Sequence, residues 1–109
     1  MSRPLERNKH NSQMTTVLKA ISNIKRLQIL HELADGKEKS VSELESVVPE
    51  LSQSALSQHL GRLRRANIVK TRRESQSIFY SVENDEVIKI LRFLSKIYSN
   101  DLVIKKTKH

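Results

Sequence analysis

The stretch from Gln53 to Ala66 constrains the fold more than any other part of the chain. Leu56, Leu60 and Leu63 stand at i, i+4 and i+7, and at about 100° per residue they fall within about 60° of one another, so this face of a helix packs inward. The opposite face carries Ser54, Ser57, Gln58, Gly61, Arg62 and Arg65. These are short hydrogen-bonding side chains, then a position with no side chain, then two guanidinium groups. A helix entering a major groove wants that order, because Ser and Gln can read base edges while Arg holds phosphate or guanine. Upstream, Leu44, Val47, Val48 and Leu51 form one apolar stripe, and Ser42 with Glu45 three residues later has the capping-box pattern that opens a short helix. Pro49 disfavours helical geometry at Val48, so the chain is predicted to turn before Ser52, which can cap the next helix. Two helices joined by a short turn, the second so decorated, make a helix-turn-helix.

Charge is placed accordingly. The 109 residues carry a formal net charge of +8, which favours a polyanionic partner through counterion release and long-range steering. From Arg62 to Arg73 there are six cations (Arg62, Arg64, Arg65, Lys70, Arg72, Arg73) and no acid, whereas Ser40 to Gly61 holds Glu43, Glu45 and Glu50 and no Lys or Arg. A solvated face is the ordinary reading of an isolated charge run. Here the run begins on the polar side of the helix just described and continues into the next element.

The remaining elements follow from periodicity and punctuation. Met14, Val17, Leu18 and Ile21 give a first short amphipathic helix. A second, from about Asn23 to Ala34, spreads apolar residues around much of its circumference, as an element buried between others does, and Gly36 supplies the stop. Asn67 is acceptable as a left-handed helix end. After it, Ile68 to Arg73 and Ile78 to Val82 alternate as strands about Glu74, Ser75, Gln76 and Ser77, with Val69, Thr71, Ile78, Tyr80 and Val82 able to point inward. This predicts a hairpin wing with Arg72 and Arg73 beside its tip. Asn84 or Asp85 can cap a last helix whose apolar residues Val87, Ile90, Leu91, Leu94, Ile97 and Tyr98 are too many to cover a small core alone, so a partner helix is expected. The fold class is mainly α with a β-hairpin wing, a dimeric winged helix-turn-helix. Residues 1–12 read as a flexible arm, 13–101 as the domain and 102–109 as a basic flexible tail.

That order of elements resembles the ArsR/SmtB family of bacterial winged-helix regulators. The sharpest likeness is Leu51 to Val82, LSQSALSQHLGRLRRANIVKTRRESQSIFYSV, with Ser57, His59, Leu60 and Leu63 as an S-x-H-L-x-x-L core. IKRLQILHEL, Ile24 to Leu33, is similar to the family's second helix. Within the family the chain looks like the thiol-sensing branch that includes the BigR and HlyU regulators. The resemblance implies a homodimer built from the first and last helices, here Met14, Val17, Leu18, Ile21, Val87, Ile90, Leu91, Leu94, Ile97 and Tyr98. It also implies two recognition helices facing successive major grooves of a roughly palindromic operator. DNA contact would fall on Gln53, Ser54, Ser57, Gln58, His59 and Arg62, and on the wing at Arg72, Arg73 and Gln76; Arg65 joins them from the helix face read above. His59 projects about 60° from Leu56, on the flank of the apolar side, so a buried or phosphate-touching imidazole stands beside a base contact.

Sensing departs from the pattern. The chain has no cysteine, so neither a disulfide switch nor a thiolate metal site is available. The two cysteine places of the thiol branch fall on His31 and Ser99. His31 admits a core or interface reading and a ligand reading, and the first is favoured because His10, His31, His59 and His109 have no ligand spacing. No cofactor, metal, membrane partner or catalytic residue is expected, since no nucleophile with its base, phosphate loop or metal cluster can be assembled. The expected function is a cytoplasmic, nucleoid-associated, sequence-specific double-stranded DNA-binding regulator, with repression as the expected sense. A non-specific nucleic-acid-binding basic protein is the alternative, and a winged-helix module that binds protein ranks below it.

Overall fold

A computed structural model describes residues 12–101 and residue 103; all of the expected arm but Ser12, and most of the expected tail, lie outside the described residues. Among the described residues, five helices and a small sheet run in the order α1 (Gln13–Ile21), α2 (Ile24–Leu33), β1 (Lys39–Ser40), α3 (Val41–Val47), α4 (Gln53–Arg65), β2 (Val69–Glu74), β3 (Ser77–Val82) and α5 (Asp85–Ile97). This is the winged helix expected from the sequence.

Every one of these helices starts on a side chain that accepts a backbone N–H. Ser12, Asn23, Ser40, Ser52 and Asn84 fill the N-cap positions, each satisfying a donor that the first turn leaves without an intrahelical partner. The capping box of α3 corrects the sequence reading. It is Ser40 with Glu43, not Ser42 with Glu45: Ser40 Oγ accepts from the Glu43 N–H at 3.2 Å and the Glu43 carboxylate accepts from the Ser40 N–H at 2.8 Å. Both registers spell Ser-x-x-Glu. Ser40 is selected because it ends β1 and so already has the extended backbone (φ −74°, ψ 163°) that an N-cap requires.

The α4 C-terminus is equally specific. Asn67 adopts φ 60°, its N–H reaches Arg64 C=O at 2.9 Å, and the Ile68 N–H reaches Leu63 C=O at 3.0 Å. This pair of bonds is the Schellman arrangement, with its accompanying apolar contact supplied by Leu63 and Ile68, both fully buried. The chain therefore leaves α4 at a fixed angle into the wing.

The sheet is larger than the expected hairpin. β3 pairs with β2 from Val69↔Val82 to Glu74↔Ser77 and on its other edge with β1 through Lys39↔Tyr80 and Ser40↔Phe79, giving the antiparallel order β1-β3-β2. A two-residue strand carries no periodic signal, so sequence could not supply it. Its consequence is that the segment before α3 is tied to the wing.

Ile29, Leu30 and Leu33 of α2 sit at the centre, against Leu44, Val47 and Val48, the Leu56, Leu60 and Leu63 face of α4, Ile68, Val69 and the Val87 and Leu91 side of α5. Removing Leu63 to the β-carbon would cost about 2–5 kcal/mol at such a site. Two polar side chains are buried on α2, Arg26 and Gln28. The Gln28 amide has no partner among the described residues, whereas each of the three Arg26 guanidinium nitrogens has one.

Candidate nucleic-acid interface

α3 and α4 are joined by a five-residue turn, 48–52, bounded by the Val48 C-cap and the Ser52 N-cap. With Leu56, Leu60 and Leu63 buried, helical geometry leaves the other side of α4 open, and Gln53, Ser54, Ser57, Gln58, Arg62 and Arg65 are all exposed. Gly61 lies within the same stripe. A β-carbon there would meet only the tip of Arg65, Nη1 at 3.2 Å, and its φ is not in the positive region. Neither the fold's packing nor its backbone conformation demands glycine at this position.

His59 is half-buried, and its Nδ1 lies 3.0 Å from Arg26 Nη1. A guanidinium can only donate, so Nδ1 accepts and the imidazole proton sits on Nε2. Burial and the nearby charges of Arg26, Arg62 and Lys25 hold His59 below the usual histidine range and keep it neutral. Arg26 also donates through Nε to Ala20 C=O and through Nη2 to Lys19 C=O at 3.4 Å. One buried guanidinium thus brackets the end of α1 against the middle of α4. Sequence reasoning passed over Arg26, whose only signal is a cation inside an otherwise apolar stretch of α2.

On the wing, the β2 and β3 register puts Lys70, Arg72 and Glu74 on one face and Val69, Thr71 and Arg73 on the other. Gln76 is exposed in the two-residue turn, beside Ser75 at φ 59°. The two arginines differ. Arg72 is held by Glu38, with Nε and Nη2 both 2.9 Å from its carboxylate oxygens, and by Glu74 at 2.6 Å, and it stacks 4.8 Å from the Phe79 ring centre. These carboxylates push its already high pKa further up. Arg73 is exposed and forms no ion pair among the described residues. Glu38 is thus an internal counterion for the wing.

The residues expected at a dimer interface divide. Ile21, Val87 and Leu91 are 5%, 1% and 6% exposed, so they are corrected to the core of the single chain, and Val17 packs partly against that core. Met14, Leu18, Ile90, Leu94, Ile97 and Tyr98 are exposed, joined by Ile24 and Phe93, which the sequence reading did not include. Met14, Leu18 and Ile90 line one cleft, which makes the apolar surface continuous between α1 and α5. His31 shares a cleft with Leu27, Leu91, Leu94 and Tyr98, and with the polar Ser95 and Asp101. Among the described residues no three His, Asp or Glu side chains group as metal ligands, and no helix is long and apolar enough to cross a membrane.

Comparison with known proteins bears directly on this geometry. The family model for bacterial regulatory proteins of the arsR family matches residues 23–71, a span that runs from the Asn23 cap through α4 into β2. The transcriptional activator HlyU of Vibrio cholerae is 47% identical over 93 residues, covering 85% of this chain and 84% of that protein. The nodulation protein NolR of Rhizobium meliloti is 48% identical over 100 residues, 90% of this chain and 80% of that one. The crystal structure of the transcriptional repressor BigR from Xylella fastidiosa superposes with a TM-score of 0.73 at 33% identity, covering 89% of this chain and 97% of that chain. The family consists of DNA-binding regulators of transcription, not enzymes, and this chain belongs to it as an ArsR-type winged-helix protein.

Proposed function

We propose that the chain binds double-stranded DNA sequence-specifically as a homodimer on a roughly palindromic operator, and represses transcription from the bacterial cytoplasm by occluding a promoter. The observation that carries this reading is the exposed stripe of α4: Gln53, Ser54, Ser57 and Gln58 precede Arg62 and Arg65, while the leucines opposite are locked in the core. Base-edge readers at the N-terminal end and phosphate or guanine partners further along match a recognition helix in a major groove. The exposed side chains of α1 and α5 are the surface on which two copies would pair, placing two such helices on one duplex. Relatives bearing the names of activator and repressor both exist, and either outcome uses the same contacts.

The test is selection of genomic duplexes at about 150 mM salt, where phosphate-only binding is suppressed. Enrichment of one imperfect palindrome is expected. The double variant Ser54→Ala/Gln58→Ala should lose about 1–3 kcal/mol of discrimination for each good base pairing removed. Uniform recovery of sequences would instead leave a non-specific nucleic-acid binder.

A further inference from the structure

A second polar surface lies beside the recognition stripe. Thr15, Thr16, Lys19 and Ala20 of α1 face Arg62 and Arg65 of α4 and its C-cap Ala66 across a cleft. Three cations converge there, and Lys19, Arg62 and Arg65 form no ion pair among the described residues. Lys25, Lys39, Arg72 and Lys89 each meet a carboxylate; Arg64, Arg73 and Arg92 form no ion pair among the described residues either, so what sets Lys19, Arg62 and Arg65 apart is that they line one cleft. Ala20 and Ala66 are the smallest side chains in its lining. The Thr16 hydroxyl is committed to Ser12 C=O at 3.1 Å, which leaves that of Thr15 as the hydroxyl donor.

The walls of this cleft are fixed by Arg26, whose guanidinium grips the carbonyls of Lys19 and Ala20 and, on the other side, His59 of α4. Placing a buried cation behind three further cations raises the local positive potential, a costly arrangement for a surface with no anionic partner. We propose that the α1–α4 cleft is a phosphate site, formed by Lys19, Arg62, Arg65 and Thr15, that takes a backbone phosphate of the bound duplex.

This rests on the DNA-binding reading above and gives it a new binding element, α1. The occupant follows from geometry. Ser54 and Arg65 are separated by eleven residues, about 16 Å along the helix at 1.5 Å each, and a major groove is about 12 Å wide. With Ser54 and Gln58 at base edges, the Arg65 end has reached the sugar-phosphate wall. Met14 and Leu18 fall on a different side of α1, in the cleft shared with α5, so the phosphate site does not compete with the apolar surface.

Binding of the full chain to its selected duplex and to a random duplex, each measured across a salt series, tests the proposal. Lys19→Ala should weaken both by the same factor, threefold to tenfold, and flatten the slope of log K against log salt by about 1.8, about 0.9 for the phosphate no longer neutralised in each of the two protomers. Lys89→Ala, which removes one charge from α5, should leave that slope within error. Unchanged affinity and slope in Lys19→Ala, alongside impaired discrimination in Ser54→Ala/Gln58→Ala, would overturn the cleft while sparing the recognition helix. Inorganic phosphate supplies the other arm. If millimolar phosphate perturbs the Thr15 and Lys19 amide resonances and Lys19→Ala abolishes this without altering duplex binding, the site takes a free phosphate and the assignment to DNA is overturned. Failure of the wild-type chain to prefer any duplex sequence would count against the DNA reading itself.

Discussion

Gly61 is the residue whose identity the fold explains least and the interface explains best. In mid-helix it costs roughly 1 kcal/mol relative to alanine, and only a movable arginine tip lies near its missing β-carbon. Under the proposed function, close approach of α4 to a groove would supply the reason for glycine. Gly61→Ala is therefore expected to raise stability by about 0.5–1 kcal/mol in urea titration while weakening operator binding severalfold. An alanine variant that gains stability and binds as tightly as wild type would remove the argument.

His59 makes a complementary prediction in pH. Its folded-state pKa is lowered, first by burial and then by Arg26 and Lys25 from α2 and Arg62 from its own helix, and the unfolded value is about 6.5. A depressed group binds its proton more readily in the unfolded chain, so its contribution to stability is fully present above about pH 6.5 and is lost as the pH falls toward the folded value. Protonation would also set an N–H of the ring against the Arg26 donor. The urea midpoint of wild type should drop on going from about pH 7 to about pH 5 by more than that of His59→Gln. Parallel curves would mean that the Arg26 hydrogen bond does not hold the imidazole neutral.

At the scale of elements, what was legible in the sequence is what local rules determine. The leucine spacing of α4, the Pro49 turn, the left-handed Asn67 and the caps at Ser52 and Asn84 each follow from neighbours a few residues away. What was missed depends on partners distant in the chain. Arg26 and His59 are thirty-three residues apart and Glu38 and Arg72 thirty-four, so neither pairing leaves a mark on any local pattern. The α3 capping box was misplaced by two residues because only β1 decides between two equivalent Ser-x-x-Glu registers.

The wing carries its own prediction. Arg72 is held by Glu38 at the base of the hairpin and by Glu74 along its own strand, so a DNA phosphate must compete with two carboxylates for it. Glu38 is itself kept well ionised by that same pairing, first through the Arg72 hydrogen bond. Replacing Glu38 with glutamine keeps the shape and removes one competing charge. Glu38→Gln should therefore tighten binding to random and selected duplexes alike and steepen the salt dependence, since one more cation becomes available to phosphate. Equal slopes for the two proteins in a salt series would place Arg72 outside the DNA interface and leave Arg73 and Gln76 as the wing's contributors.

The whole molecule poses a problem that one copy cannot solve. Its core holds the inner faces of α1 and α5, yet Met14, Leu18, Phe93, Ile97 and Tyr98 remain between 49% and 73% exposed. Ile90, Phe93, Leu94 and Ile97 recur at three- and four-residue spacing, which is a second apolar stripe on a helix whose first, Val87 and Leu91, is already buried. Large contiguous apolar surface on a small protein marks an interaction site. A self-complementary interface of standard size needs about 800 Å² from each copy, and a helix stripe extended by α1 is suited to supply it. Because these side chains are exposed in the single chain, charging them should spare the protomer's core. Phe93→Glu/Ile97→Glu is expected to raise the dimer dissociation constant at least about a hundredfold, about 2.7 kcal/mol, and to halve the mass measured by light scattering at micromolar concentration. Helix content by circular dichroism should be retained. Operator affinity should fall with it, since a single recognition helix meets only one half-site. A wild-type chain that already sediments as one copy at that concentration would refute the dimer, and the apolar stripe would then need a different partner.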